Sequence, residues 1–88
     1  MSKFSYTIKK GFRQIKVMVK DEDNRTVTFF GRPKDGVYLF QSGEGNLVRP
    51  DNVWADELTD YMRYLEYVAP EISEKTGKKI KVARFPWG

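Results

Sequence analysis

Lys3, Ser5, Thr7 and Lys9 share one parity along the chain, and Gln14, Lys16, Met18 and Lys20 share another. In extended backbone each set lines a single face. Lysines neutralise phosphates, and the rings of Phe30, Tyr38 and Phe40 offer surfaces on which bases stack, each stacked base being worth about 1–3 kcal/mol. The chemistry these residue types suit is the binding of nucleic acid, single strands in preference, on an open face that needs no pocket. Thr26 and Thr28 complete that face on a third strand.

A second constellation lies between Asp51 and Glu74, where seven acids meet only Arg63. Trp54, Leu58, Tyr61, Leu65 and Val68 recur at intervals of three and four, which predicts one apolar helix face. Asp56, Glu57, Asp60, Tyr64, Glu66 and Tyr67 then turn outward as an acidic strip bearing two phenols. Such a strip suits docking onto a basic patch of another protein, as a small inhibitor or adaptor would, and exposed tyrosine favours protein contact. Trp87, one residue from the end of the chain, either folds back on the core or anchors a partner protein or a second copy in a homodimer.

Two further patterns resolve into ordinary structure. Ser42-Gly43-Glu44-Gly45-Asn46 has the glycines of an anion-cradling loop but lacks its lysine, and Glu44 would repel phosphate; a hairpin turn accounts for it. Asp56/Asp60 and Glu57/Asp60 sit at helical neighbour spacing, yet no second loop supplies oxygen ligands, so solvated acids are expected in place of a metal site.

The chain has no Cys and no His, which removes thiol nucleophiles, Ser-His and Cys-His pairs, structural zinc and imidazole acid/base work. Only carboxylate or phenol chemistry remains in common use. The expectation is a binding module that is not an enzyme and carries no cofactor. At 88 residues, with 40% hydrophobic and 15% aromatic side chains, the composition is that of one folded domain spanning 1–88. Neither a leader-like apolar run nor about eighteen consecutive apolar residues occurs, so no membrane is expected and the cytoplasm is the default location. A virus- or mobile-element-encoded accessory protein would suit this size. Paired aromatic RNP segments, a Gly-x-x-Gly clamp and a helix-turn-helix pair are all lacking.

The net charge of +4 is unevenly placed. Residues 1–20 hold Lys3, Lys9, Lys10, Arg13, Lys16 and Lys20 with no acid, and residues 75–88 hold five cations with no acid, enclosing the acidic segment between them. That polarity steers a charged partner to one side.

The elements that must position these residues follow from period and punctuation. Phe4, Tyr6 and Ile8 alternate with polar residues as a first strand, and Lys10-Gly11 turns the chain. Ile15, Val17 and Val19 alternate as its antiparallel partner, up to the turn Asp21-Glu22-Asp23-Asn24. Arg25 to Gly31 is β-branched and aromatic, closed by Arg32-Pro33-Lys34-Asp35-Gly36; Val37 to Gln41 follows, then Leu47-Val48-Arg49 before Pro50. Asp51 or Asn52 caps the helix, and Pro70 should break or kink it into two pieces ending at Gly77. Lys79 to Phe85 reads as a last strand. The expected fold is α+β: an antiparallel sheet of four to six strands with one main helix, kinked or broken near Pro70, on one face.

Overall fold

The structure, a computed structural model, describes residues 3–41 and 45–83. Ser42, Gly43 and Glu44 of the glycine loop, and Phe85 and Trp87 of the tail, lie outside the described residues. The chain forms an α+β fold in the order β1 (Ser5–Gly11), β2 (Gln14–Lys20), β3 (Thr26–Lys34), β4 (Val37–Gln41), β5 (Leu47–Val48), a 3-10 turn (Ala55–Glu57), α1 (Leu58–Thr76) and β6 (Ile80–Ala83). One six-stranded sheet has the order β1-β2-β3-β4-β6, with β5 paired to β3.

The sheet is mixed where an antiparallel one was expected, because β6 runs parallel to β4, Tyr38 facing Ile80 and Phe40 facing Val82. Parallel neighbours need a crossover. The 19-residue helix supplies it, carrying the chain about 28 Å across the sheet so that it re-enters in the direction of β4.

Alternation decides which side chains are buried. On β2 and β3, Ile15, Val17, Val19, Val27 and Phe29 are all buried while their sequence neighbours are not. The helix covers that side with Tyr61, Met62, Leu65, Val68 and Ile72, and Phe40 and Val53 complete the core. Gly31 lies opposite Ile15 on this inner face, and a Cβ built on it would come closer than 3.0 Å to the Phe40 ring. The missing side chain is what lets Phe40 reach full burial.

The helix departs from expectation at both ends. Trp54 does not join the apolar stripe; it is 69% exposed, because a 3-10 turn separates it from Leu58 and turns it by a different angle from an α-helical one. Neither Asp51 nor Asn52 caps the helix. Instead Glu57 reaches back to accept from the Trp54 backbone N–H at 2.7 Å, half of a capping box. Asp56, Glu57 and Asp60 stand near the positive end of the dipole. Pro70 lies inside one uninterrupted helix, in place of the expected break. It is exposed, so the carbonyl four residues earlier on that side can turn to water. Gly77 takes the left-handed C-cap, φ 70, and its N–H donates to the Ser73 carbonyl at 2.8 Å.

The helix is tied to the β2–β3 turn by a buried polar knot. Asp21 Oδ1 accepts from the backbone N–H of Asp23 and of Arg25, each at 2.9 Å, and Oδ2 accepts from Arg25 Nε at 2.7 Å and from the Tyr61 hydroxyl. Arg25 in turn donates to the Asn52 carbonyl at 2.9 Å and to Glu57 at 3.3 Å. Among the described residues no helix is long and apolar enough to cross a membrane.

Candidate nucleic-acid interface

The sheet side away from the helix is built from every second strand residue. Pairing aligns Ser5 with Lys20 and Thr26, Thr7 with Met18 and Thr28, and Lys9 with Lys16 and Phe30. Arg32, Leu39 and Lys81 form the next row, since Leu39 faces Arg32 on one side and Lys81 on the other. None of these residues is buried, so no described segment of the chain seals this face.

Its electrostatics follow from where the carboxylates are. The strands contain Lys9, Lys10, Lys16, Lys20, Arg32, Lys34 and Lys81 and no acid; every described carboxylate is in a turn, a connection or the helix. Lys9, Lys16 and Lys20 make no ion pair among the described residues. Lys9 and Lys16 stand directly opposite each other across β1 and β2, and like charges so placed destabilise a sheet. Two cations approach the Phe30 ring, with Lys16 Nζ 5.7 Å and the Arg32 guanidinium carbon 5.8 Å from its centroid. Arg32 is oriented by donating to Asn46 Oδ1 at 2.9 Å.

Of the residues expected on this face, Lys9, Lys16, Lys20 and Phe30 are brought together there. Lys3 is not. It precedes β1, stands 5.8 Å from the Phe4 ring and lines a small cleft with Asp21, Asp60 and Tyr61 at the helix side. Tyr38 and Phe40 are also removed, because β4 alternation turns both inward: Phe40 is fully buried against Gly31, and Tyr38 packs on the core beside Ile80. Leu39 and Gln41 take the outer positions instead. Arg32 and Lys81 join the face although sequence reading left them out.

The acidic strip is partly as expected. Asp56 and Asp60 are exposed and Tyr67 is 79% exposed. Tyr64 is half-buried, its ring 5.4 Å from that of Phe4 and 6.2 Å from that of Tyr6. Burial, with the Tyr6 phenol beside it, holds the Tyr64 hydroxyl above its ordinary pKa. No group of three acidic residues among the described ones could hold a metal ion.

The most exposed large apolar residue among the described ones was not singled out by sequence at all. Phe12, 93% exposed, sits at the β1–β2 turn. The turn falls on Phe12-Arg13, beyond the expected Lys10-Gly11, because Gly11 still pairs with Gln14. The signal was the aromatic within Lys-Lys-Gly-Phe-Arg, which the glycine masked by inviting the turn two residues too early.

No family model, no curated protein and no solved structure matches this chain.

Proposed function

We propose that the protein binds nucleic acid, single strands in preference, on the helix-free face of its sheet. The observation that carries this reading is a face that holds Lys9, Lys16, Lys20, Arg32 and Lys81 with no carboxylate from any strand, and on which Lys16 and Arg32 both approach the Phe30 ring. Phosphates are met by Lys9, Lys16, Lys20 and Lys81, and a base stacks on Phe30, with the acidic helix on the opposite side keeping the polyanion to one face. The juxtaposed Lys9 and Lys16 relax their repulsion when a phosphate lies between them.

Anisotropy of a labelled single-stranded oligonucleotide, titrated at several salt concentrations, tests the reading. Lys16→Ala with Lys20→Ala should flatten the plot of log affinity against log salt by about 0.7 for each phosphate that is no longer neutralised. Phe30→Ala should weaken binding by about 1–3 kcal/mol. Absence of binding at low salt to any single strand, DNA or RNA, would end this proposal.

A second reading rests on Tyr67 and Trp54, both well exposed on the helix side beside Asp56 and Asp60. In it the protein is an inhibitor or adaptor that docks a basic protein surface through the acidic strip. Capture of a defined partner that survives nuclease treatment, and is lost with Tyr67→Ala, would favour it.

A further inference from the structure

We infer that the β1–β2 hairpin tip is a stacking wedge: Phe12 inserts between two neighbouring bases of the bound strand while the cations around it hold the flanking phosphates. The inference rests on the nucleic-acid reading and adds to it a second aromatic contact that bends and unstacks the strand.

Three observations converge on the tip. Phe12 is 93% exposed and belongs to no part of the core, so the fold has no packing use for the ring. Arg13, the next residue, holds φ 58, a left-handed backbone that glycine, asparagine and aspartate adopt more readily than arginine. Gly11, two positions earlier, is not in that region, so the turn carries local strain that exchanging the two residue types would remove. Strain of this kind persists where a side chain is wanted at a particular place.

The third observation is charge. Lys9, Lys10 and Arg13 flank Phe12 and are all exposed. Lys9 continues directly into the row of Lys16 and Phe30 on the helix-free face, whereas Lys10 faces Ile15 and so stands on the other side of the ribbon. Cations on both sides of a projecting ring suit a chain of phosphates passing over the tip. Phe12 lies three residues beyond Lys9, about 10 Å along the strand from the Phe30 row, so one strand can follow the basic row from one ring to the other. Apolar side chains inserted between base steps are a known means of unstacking and kinking nucleic acid.

The test uses the full chain and a single-stranded oligonucleotide with 2-aminopurine at its centre, whose emission rises when its neighbours are unstacked. Wild type should raise that emission on binding. Phe12→Ala should abolish the rise and weaken binding about 5- to 150-fold, with the salt dependence unchanged because a neutral ring is removed. Phe12→Leu, still apolar but without a ring, should recover only part of the affinity. Circular dichroism melts of the variants should match wild type, since the exposed ring supports no core packing.

If wild type binds and Lys16→Ala weakens it, but Phe12→Ala binds as wild type does, the wedge is wrong and the face reading stands. If wild type binds no strand, both fall. Binding of wild type to phosphatidylserine vesicles that is lost with Phe12→Ala, with oligonucleotide binding untouched, would overturn the wedge in favour of a membrane contact.

Discussion

The Tyr61 hydroxyl donates to Asp21 Oδ2, joining the β2–β3 turn to the helix across forty residues of chain. The same carboxylate closes that turn through two backbone N–H groups and pairs with Arg25, which continues to Glu57 at the start of the helix. One buried acid therefore ties the β2–β3 turn to the first turns of the helix, beside the apolar contacts that pack the helix on the sheet.

Acid should weaken this knot in a defined direction. Burial alone would raise the Asp21 pKa, but the bonds from Tyr61, Arg25 and Asp23 outweigh it and hold the group below its ordinary 3.8. Its stabilisation is fully present above that ordinary value and is lost as pH falls through the lower folded one. Urea denaturation from pH 6 to pH 2 should show wild type more stable than Asp21→Asn at the upper end, with the difference shrinking below about pH 4. Tyr61 shifts oppositely: burial and then Asp21 raise its pKa above 10.0, so its share is present below that value and declines at higher pH. A gap between wild type and Asp21→Asn that is constant across the acid range would show that the carboxylate is not the group involved.

Gly31→Ala should destabilise the fold by about 1–3 kcal/mol, since the new Cβ meets the buried Phe40 ring. Phe40→Leu alone removes a filled volume. Combined, the two substitutions should destabilise by less than their sum, by at least about 0.5 kcal/mol, because each relieves the defect of the other. Additive losses in denaturant titrations would mean that the ring and the glycine do not share the space.

Pro70→Ala should stabilise the protein by about 1–3 kcal/mol, because it restores an N–H within a continuous helix. For a domain of this size each kcal/mol corresponds to about 4–8 °C in Tm. A lower melting temperature would instead show that the proline ring is needed where it borders Ile80 and Val82 along a surface groove.

Local pattern carried much of the architecture. Period-two alternation in Phe4-Tyr6-Ile8 and Ile15-Val17-Val19 assigned faces correctly because one side of β2 is buried and the matching side of β1 is half-buried against the core, which fixes the register. The same rule applied to β4 groups Tyr38 with Phe40 but does not say which way the pair faces; that depends on the space left at Gly31, contributed by another strand. Trp54 followed the helical interval and still fell outside the core, since an α-helical period does not extend through a 3-10 turn. Pro70 read as a breaker because local propensity counts the lost hydrogen bond and not the packing of Val68 and Ile72 on either side, which holds the helix together.

What sequence alone determined was the inventory and the parity: an acid-free set of strands, a carboxylate-rich helix, no thiol or imidazole, and which residues alternate with which. Those properties are local, set by residue type and by spacings of two and of three to four. Tertiary structure alone decided that β6 lies parallel to β4, that Phe12 and Arg13 form the hairpin tip, and that Lys16 and Arg32 close on Phe30 from two strands. The first and the last depend on residues distant in sequence meeting across a register, and the tip follows from the β1–β2 register that pairs Gly11 with Gln14; registers are chosen by the packing of the whole core.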